Sequence, residues 1–352
     1  MATQYSLLLC FLNMLVFSVP EIMGTNKIPG IIVFGDSTVD AGNNNQIPTL
    51  AKGNFLPYGQ DFEGGKPTGR FCNGRLATDF LSDMLGIKHS IPAYLDPDFV
   101  HQFSQLSHKY IFAYSNQITR LFCMKDVIPL AKELEYFKEY LKKLTSFLGK
   151  DGAVETTRES LYFISIVTND FIENYFTVPG RSSQFTVAEY ENFLLGIARN
   201  FFIELYSLGA RKIGLAGLPP SGYLPIAKTV NHVSGRPNLE ELNEASKEFN
   251  VKLQNLVTSL SKELEGIKLV YADIYNPILH IIQNPNLYGF ENVEEGCCAT
   301  GTFELGILCK GNAISCPDPS KYVFWDAVHP SEKLYGIVAN ILMDTLMSQL
   351  VN

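Results

Sequence analysis

The sequence has no excess of basic residues and, after its first twenty positions, no apolar run long enough to span a bilayer. Its 28 Lys and Arg are outnumbered by 36 Asp and Glu, which gives a formal net charge of -8. We therefore expect no transmembrane helix and no binding to nucleic acid or to anionic membrane surfaces. What remains is a chain of 352 residues, 46% of them hydrophobic, which is enough for one large α/β domain.

Motifs that bind nucleotides or zinc are missing as well. Neither G-x-G-x-x-G nor G-x-x-x-x-G-K-[ST] occurs, which argues against a nucleotide-binding protein. Cysteines cluster at Cys297, Cys298, Cys309 and Cys316, but they form no C-x-x-C pair. Two adjacent cysteines are awkward ligands for one tetrahedral metal ion, so we expect no metal site. We expect instead a loop that is cross-linked by disulfide bonds, and the sequence does not determine which cysteines pair.

The N-terminus predicts a secretory signal. Residues Ser6–Val19 are almost wholly apolar and are followed by Pro20, a length that suits the apolar region of a signal but not a membrane span. No Lys or Arg precedes them, so a buried N-terminal helix is the alternative. We expect residues 1–24 to be a signal peptide cleaved at Gly24 and residues 25–352 to form a single domain. The mature protein would then be secreted and extracellular, where disulfides persist.

Short apolar runs alternate with amphipathic ones along the rest of the chain. This alternation predicts an α/β fold with a central parallel sheet and helices on both faces. The predicted strands are Ile31–Phe34, Leu161–Ile166, Lys212–Leu215 and Lys268–Tyr271. The predicted helices are Leu76–Leu85, Val127–Phe147, Val187–Leu208, Leu239–Leu264 and Glu332–Met347.

A candidate nucleophile follows the first predicted strand. In the stretch IIVFGDSTVDAGNNN, Ser37 lies just past the strand end, at the edge where open parallel sheets form their sites. Gly35 permits a tight turn there, and a small loop can present backbone N–H groups to an anion. The alternative is that Ser37 only caps a helix that begins near Thr38.

Two further stretches supply the groups that a nucleophilic serine needs. In VFWDAVHP, Asp326 can orient His329, and the imidazole can take the proton of a serine hydroxyl. In SIVTND, Asn169 follows a strand, and its amide can donate to the oxyanion of a tetrahedral intermediate. The alternatives are that Asp326 caps the last helix beside a solvated His329, and that Asn169 or Asp170 caps a helix.

Together these stretches resemble the plant GDSL esterase/lipase family of the SGNH hydrolase superfamily. The likeness runs from Gly30 to the C-terminus and includes FGDSTVDAGNNN, PYGQDF…PTGRFCNGR, SLYFISIVTNDFIENY, GLPPSGYLP, DIYNPILHIIQNPNLYGF and YVFWDAVHP. It implies a three-layer α/β/α sandwich of flavodoxin-like type and hydrolysis of a small-molecule or lipid acyl ester without a metal or an organic cofactor. It also implies Ser37 as nucleophile, His329 as base and Asp326 as its partner, with Asn169 and the backbone N–H of Ser37 as oxyanion donors. It does not separate triacylglycerols from cutin-like polyesters, acetylated sugars or small acetate esters.

One block of that family is missing from this chain. The family usually has F-A-S-x-G-x-G before its long helix, and the N–H of a glycine there completes the oxyanion hole. No glycine occurs between Ile87 and Leu148, and segment 98–126 is atypical, with FAYS at residues 112–115 as a faint echo. Val167 also stands where the family has glycine. Two alternatives follow: a catalytically impaired protein that binds an ester or glycan ligand, or a segment that comes from a misread exon boundary.

Overall fold

The computed structural model describes residues 28–99, 127–177, 180–235, 238–310 and 315–350, together with the backbone of residues 110–113. The expected signal at residues 1–24 and most of the atypical segment 98–126 lie outside the described residues.

A five-stranded parallel sheet forms the centre of the structure, in the order β2-β1-β3-β4-β5. Its strands are β1 (Gly30–Gly35), β2 (Tyr110–Ala113), β3 (Leu161–Ser165), β4 (Lys212–Ala216) and β5 (Lys268–Ala272). From β1 the chain continues to the strand on one side, and from β3 it continues to the strand on the other side. The strand order therefore reverses between β1 and β3, and sheets of this type form a crevice at the carboxyl ends of such a pair.

Helices cover both faces of this sheet and complete a three-layer α/β/α sandwich. The α-helices are α1 (Ala77–Met84), α2 (Leu130–Glu159), α3 (Val187–Ser207), α4 (Pro225–Ser234), α5 (Leu239–Glu263), α6 (Tyr275–Gln283) and α7 (Glu332–Leu350). One core cluster joins α2, α3 and α5 to the sheet, and a second joins α1, α6 and α7 to its other face. Among the described residues, no helix combines the length and the apolar character that a membrane span needs.

The alternating faces of the strands explain why two cores form. In β1, Ile32 and Phe34 belong to the first cluster, whereas Ile31 and Val33 belong to the second. Side chains of successive strand residues point to opposite faces, so an unbroken apolar run fits only a strand that is covered on both sides.

The predicted strands and helices are confirmed, with two kinds of difference. Helix α2 continues past the predicted end at Phe147 as far as Glu159, across Gly149, whose φ of 73° interrupts the helical geometry. A glycine commonly follows the last residue of a helix, so the sequence pattern predicts that this helix ends before Gly149. The short elements β2, α4 and α6 were not predicted, since four to ten residues carry little periodicity.

A second, two-stranded parallel sheet lies outside the central one. It pairs β6 (Asn292–Gly296) with β7 (Tyr322–Phe324). Strand β7 ends two residues before Asp326, so this small sheet delivers the aspartate and histidine stretch.

Gly35 directs the chain from β1 into the loop that follows. A Cβ at this position would lie 2.1 Å from the carbonyl oxygen of Ser165 and 2.6 Å from Cγ2 of Val39. The backbone N–H of Asp36 donates to the same carbonyl at 3.0 Å. The ends of β1 and β3 therefore approach so closely that only glycine fits, and the chain turns there with Ser37 at the sheet edge.

We predict opposite effects for the same substitution at two glycines. Gly35→Ala places a methyl group against the carbonyl of Ser165 and should lower the free energy of unfolding by about 1–3 kcal/mol or more. Gly196→Ala lies in the exposed interior of α3 with no atom near the added methyl group, and should raise it by about 1 kcal/mol. Urea denaturation of both variants measures the difference, and a neutral Gly35→Ala would contradict the close approach.

Candidate active site

Ser37 and Asn169 lie at the crevice where the strand order reverses. Ser37 is the second residue after β1, and Asn169 is the fourth after β3. Both are partly exposed, in contrast to the fully buried strands that precede them. The sheet thus brings together two side chains that are far apart in sequence, as the carboxyl ends of adjacent parallel strands require.

Ser37, His329 and Asp326 form a continuous chain of hydrogen bonds. The Oγ of Ser37 lies 2.7 Å from Nε2 of His329. The Nδ1 of His329 lies 2.7 Å from Oδ2 and 2.9 Å from Oδ1 of Asp326. A proton on Nδ1, facing the carboxylate, leaves Nε2 as an acceptor for the serine hydroxyl. His329 is only 2% exposed and Asp326 is fully buried, which excludes the alternative of a solvated histidine beside a surface cap.

The Asp326 carboxylate accepts hydrogen bonds from four donors. Besides the imidazole, Oδ1 accepts from the backbone N–H groups of Val328 at 2.9 Å and His329 at 2.7 Å, which closes a tight turn. Its Oδ2 accepts from the hydroxyl of Tyr58 at 2.7 Å. Burial, together with the adjacent Asp326 carboxylate, raises the pKa of Tyr58 well above its usual value, so this phenol remains a donor.

Two aromatic residues at this site were not singled out from the sequence. Tyr58 is fully buried and also accepts a hydrogen bond from the backbone N–H of Gly306 at 2.7 Å. Phe71 stacks on the imidazole of His329, with ring centroids 5.0 Å apart. Both lie in PYGQDF…PTGRFCNGR, one of the stretches that resemble the family. The resemblance therefore includes these two residues but implies no role for either of them.

The cysteine-rich loop supports the stretch that carries Asp326. Disulfides join Cys297 to Cys316 and Cys298 to Cys309, which confirms the predicted cross-linking and supplies the pairing. The backbone N–H groups of Cys297 and Cys298 donate to the carbonyls of Phe324 and Trp325, directly before the aspartate. The loop is therefore fixed both to itself and to the candidate site.

The turn that carries Ser37 is held by its own side chains. The Asp36 carboxylate accepts from the backbone N–H and the hydroxyl of Thr38 at 3.0 and 2.7 Å, and burial raises the pKa of Asp36. The next carboxylate, Asp40, accepts from the N–H groups of Gly42 and Asn43. The next helical turn begins only at Asn43, which excludes the alternative that Ser37 caps a helix near Thr38.

A second nucleophile close to the site is poorly suited to react. Cys72 is fully buried and forms no disulfide. Burial raises the pKa of its thiol well above the usual value, and the thiolate is the reactive form of cysteine. The partly exposed hydroxyl of Ser37 is the better candidate.

Asn169 has an amide available for a ligand. Within the described part of the chain, neither this side chain nor the backbone N–H of Ser37 makes a hydrogen bond, so both remain available to donate to a ligand. Nearby, Val167 has a φ of 88°, a left-handed conformation that is costly for a β-branched residue. This is the position where the family has glycine, and the observed backbone gives the physical reason for that preference.

The position of the missing glycine block is only partly described. Strand β2 ends at Ala113, the second residue of the faint FAYS echo, and pairs with β1 in parallel register. The residues that follow it, where the family has its glycine, lie outside the described residues. No donor is assigned there.

This arrangement has the parts of an acyl-transfer site. A hydroxyl contacts an imidazole, a buried carboxylate orients the imidazole, and two N–H donors are free at the same sheet edge. A nucleophile, an oriented base and oxyanion donors are what the attack on an ester carbonyl requires.

Comparison with known proteins gives one consistent result. The family model of the GDSL-like lipase/acylhydrolases matches residues 31–342. The chain is 52% identical over 325 residues to GDSL esterase/lipase At2g04570 of Arabidopsis thaliana, covering 91% of each chain. It is 47% identical to GDSL esterase/lipase At2g42990 over 97% of each chain, and 38% identical to GDSL esterase/lipase APG over 93% of each, both from Arabidopsis thaliana.

Tyr58→Phe tests the donor to Asp326. Losing a hydrogen bond to a carboxylate should lower the free energy of unfolding by about 1.5–3 kcal/mol. The carboxylate then holds the imidazole through one fewer fixed group, so kcat for ester hydrolysis should fall while KM changes little. Tyr288→Phe is the matched control, because Tyr288 bonds to His280 on the surface. If both variants keep the wild-type kcat and KM, Tyr58 is not a positioning residue.

Val167→Gly tests the strained backbone near Asn169. Val167 and Val270 are both buried, at 3% and 5% exposure, but only Val167 has a positive φ. Both substitutions remove a similar area of buried apolar surface. Glycine at position 167 also relieves about 1–3 kcal/mol of backbone strain. Val167→Gly should therefore destabilise the protein less than Val270→Gly by about that amount in urea denaturation. Equal losses would contradict the strain.

Proposed function

The chain belongs to the GDSL-like lipase/acylhydrolase family, whose members are carboxylic ester hydrolases, and we propose that it hydrolyses acyl esters through an acyl-enzyme on Ser37. The observation that carries this proposal is the 2.7 Å contact between Ser37 Oγ and His329 Nε2, with the buried Asp326 behind the imidazole. A serine hydroxyl is a weak nucleophile until such a base takes its proton.

In the first step, Ser37 Oγ attacks the ester carbonyl while His329 Nε2 takes the hydroxyl proton. The carbonyl oxygen becomes an oxyanion, and the imidazolium is stabilised by Asp326. When the tetrahedral intermediate collapses, the bond to the alcohol breaks and His329 donates its proton to the leaving oxygen. The products of this step are a free alcohol and an ester of Ser37.

In the second step, water attacks the acyl-enzyme. His329 Nε2 now takes a proton from the water, a second oxyanion forms, and its collapse returns the proton to Ser37 Oγ. The carboxylic acid leaves and the starting state is restored. Both oxyanions require donors, and the free amide of Asn169 and the backbone N–H of Ser37 are the candidates on the described residues.

Hydrolysis of p-nitrophenyl esters by purified protein tests this proposal. Ser37→Ala should reduce the rate to background, whereas Ser183→Ala, in an exposed turn, should leave it unchanged. Asn169→Ala should lower kcat by about 10²–10³ with little effect on KM, because the oxyanion exists only after attack. Asn340→Ala, exposed on α7, is the control for that change. Undiminished hydrolysis by Ser37→Ala would overturn the proposal.

The missing glycine block supports one alternative, a catalytically impaired protein that binds an ester or glycan. Losing one oxyanion donor typically costs about 10²–10³ in kcat, and two candidate donors remain, so we expect weak activity rather than none. The relative At2g04570, assayed beside this protein, gives the reference rate. Binding of ester without turnover would favour the alternative, and a rate equal to that of the relative would show that another donor fills the gap.

We further propose that the protein is secreted after cleavage of residues 1–24. The two disulfides support an oxidising compartment. When the full chain is expressed in a eukaryotic cell, the protein should appear in the medium and begin after Gly24, with both disulfides found by non-reducing peptide mapping. Retention in the cell with residues 1–24 attached would contradict this proposal.

A further inference from the structure

An apolar cavity lies between the central sheet and the face formed by α6 and α7. Its walls include Phe163 of β3, Ala216 of β4, Ile278 and Ile282 of α6, and Leu342 of α7. These side chains are buried members of the second core cluster. Nearly all the surface inside the cavity is hydrocarbon, so it favours an apolar ligand.

The cavity lies beside the candidate catalytic residues, although Ser37, Asn169 and His329 are not themselves part of its lining. Thr38, which follows Ser37, lines it, and so does Thr168, which precedes Asn169. Val328 and Pro330, on either side of His329, line it as well. The candidate nucleophile, amide donor and base thus each have an immediate neighbour in its wall, so the cavity lies within reach of an acyl group attached to Ser37.

From there the cavity follows helix α7 into the core. Its lining includes Leu334, Val338 and Leu342, which recur every four residues and therefore lie on one face of the helix. Eight residues of α-helix span about 12 Å. The cavity therefore follows about two turns of α7, a length that suits an extended hydrocarbon chain.

The polar side-chain groups in the wall are all hydroxyls, and among the described residues that of Tyr335 has no hydrogen-bond partner. The hydroxyls of Thr38 and Ser165 lie 3.1 Å apart, and Thr38 also donates to Asp36 at 2.7 Å. No Asp, Glu, Lys or Arg side chain is part of the described lining. A charged or hydroxyl-rich ligand would exchange its water there for only a few hydroxyl partners, whereas a methylene chain has no polar group to satisfy.

The volume of the cavity sets the length of chain that fits. It encloses about 80 Å³, and a water-sized group needs about 10–15 Å³ of such volume, so about five to eight methylene-sized groups can enter. We propose that this cavity binds the acyl chain of the ester and selects medium-length chains, from hexanoyl to octanoyl. This inference rests on the proposed function, because it assigns the acyl side of the same site.

The acyl-chain site makes a quantitative prediction. Each methylene that enters the cavity should raise kcat/KM by about fourfold, as the burial of a methylene group implies. The gain should stop once the cavity is full. Hexanoate and octanoate esters should therefore react faster than acetate esters, and palmitate esters should gain nothing further. Acetylated sugars and long-chain triacylglycerols are poor substrates in this account.

Two variants change the volume of the cavity in opposite directions, and a third serves as their control. Leu342→Ala removes an isopropyl group from its deep part and should shift the preferred p-nitrophenyl ester toward decanoate. Val338→Phe fills its middle and should shift the preference to butyrate or acetate. Leu346→Ala is the matched control: it makes the same truncation one turn further along α7, where the side chain packs against Gly214 outside the cavity. It should keep the wild-type preference.

Binding of octanoic acid to Ser37→Ala protein, measured by calorimetry, separates this inference from the proposed function. Binding that Val338→Phe weakens at least tenfold supports the cavity even if no ester is hydrolysed. Hydrolysis that is fastest with acetate, or whose chain-length preference is unmoved by both Leu342→Ala and Val338→Phe, overturns the acyl-chain site and leaves the esterase proposal standing. Absence of both hydrolysis and octanoic acid binding overturns the two together.

Discussion

A buried carboxylate is the constraint on which the site depends. Asp326 has no exposure to solvent, and an unpaired charge in such a place is strongly unfavourable. Its oxygens are satisfied by the imidazole of His329, by two backbone N–H groups in its own turn and by the hydroxyl of Tyr58. Hydrogen bonds to an ionised group are short and strong, so these donors fix the positions of the parts of the chain that supply them.

Those parts come from separate regions of the sequence. Tyr58 is held in turn by the backbone of Gly306, in the loop that the two disulfides close. The same loop donates to the carbonyls of Phe324 and Trp325, and Phe71 stacks on the imidazole. The proposed base, His329, is therefore held in one position, which suits a group that must receive and return a proton in one geometry.

The opposite side of the site is different, because its polar groups form no hydrogen bonds with other described residues. The amide of Asn169 and the backbone N–H of Ser37 have no partner among the described residues, and the nearby Val167 has a strained backbone. Beside them opens a cavity whose wall is hydrocarbon. The structure thus separates a buried imidazole whose carboxylate partner is fully hydrogen-bonded from two unpartnered donors and an apolar space, which we propose for the oxyanion and the acyl chain of an ester.

The sequence was sufficient for the parts of this site that local patterns determine. Ser37 follows an apolar strand, and Asp326 and His329 lie three residues apart, so their types and spacing predict their contact. Tyr58 and Gly306 could not be found in this way, because 268 residues separate Tyr58 from Asp326 and 248 separate it from Gly306. The cavity could not be predicted from the sequence either, because Ile278 and Leu342 have the spacing of ordinary core residues on their helices. Periodicity identifies buried residues, but the space left between packed elements depends on how they come together.

The most direct test of the central claim is to map the residue that an organophosphonate ester probe modifies. The account predicts a single adduct on Ser37 by peptide mass spectrometry, formed much more slowly in His329→Ala because no base takes the hydroxyl proton. An adduct on another serine with Ser37 unmodified, or an equal labelling rate in His329→Ala, would contradict it.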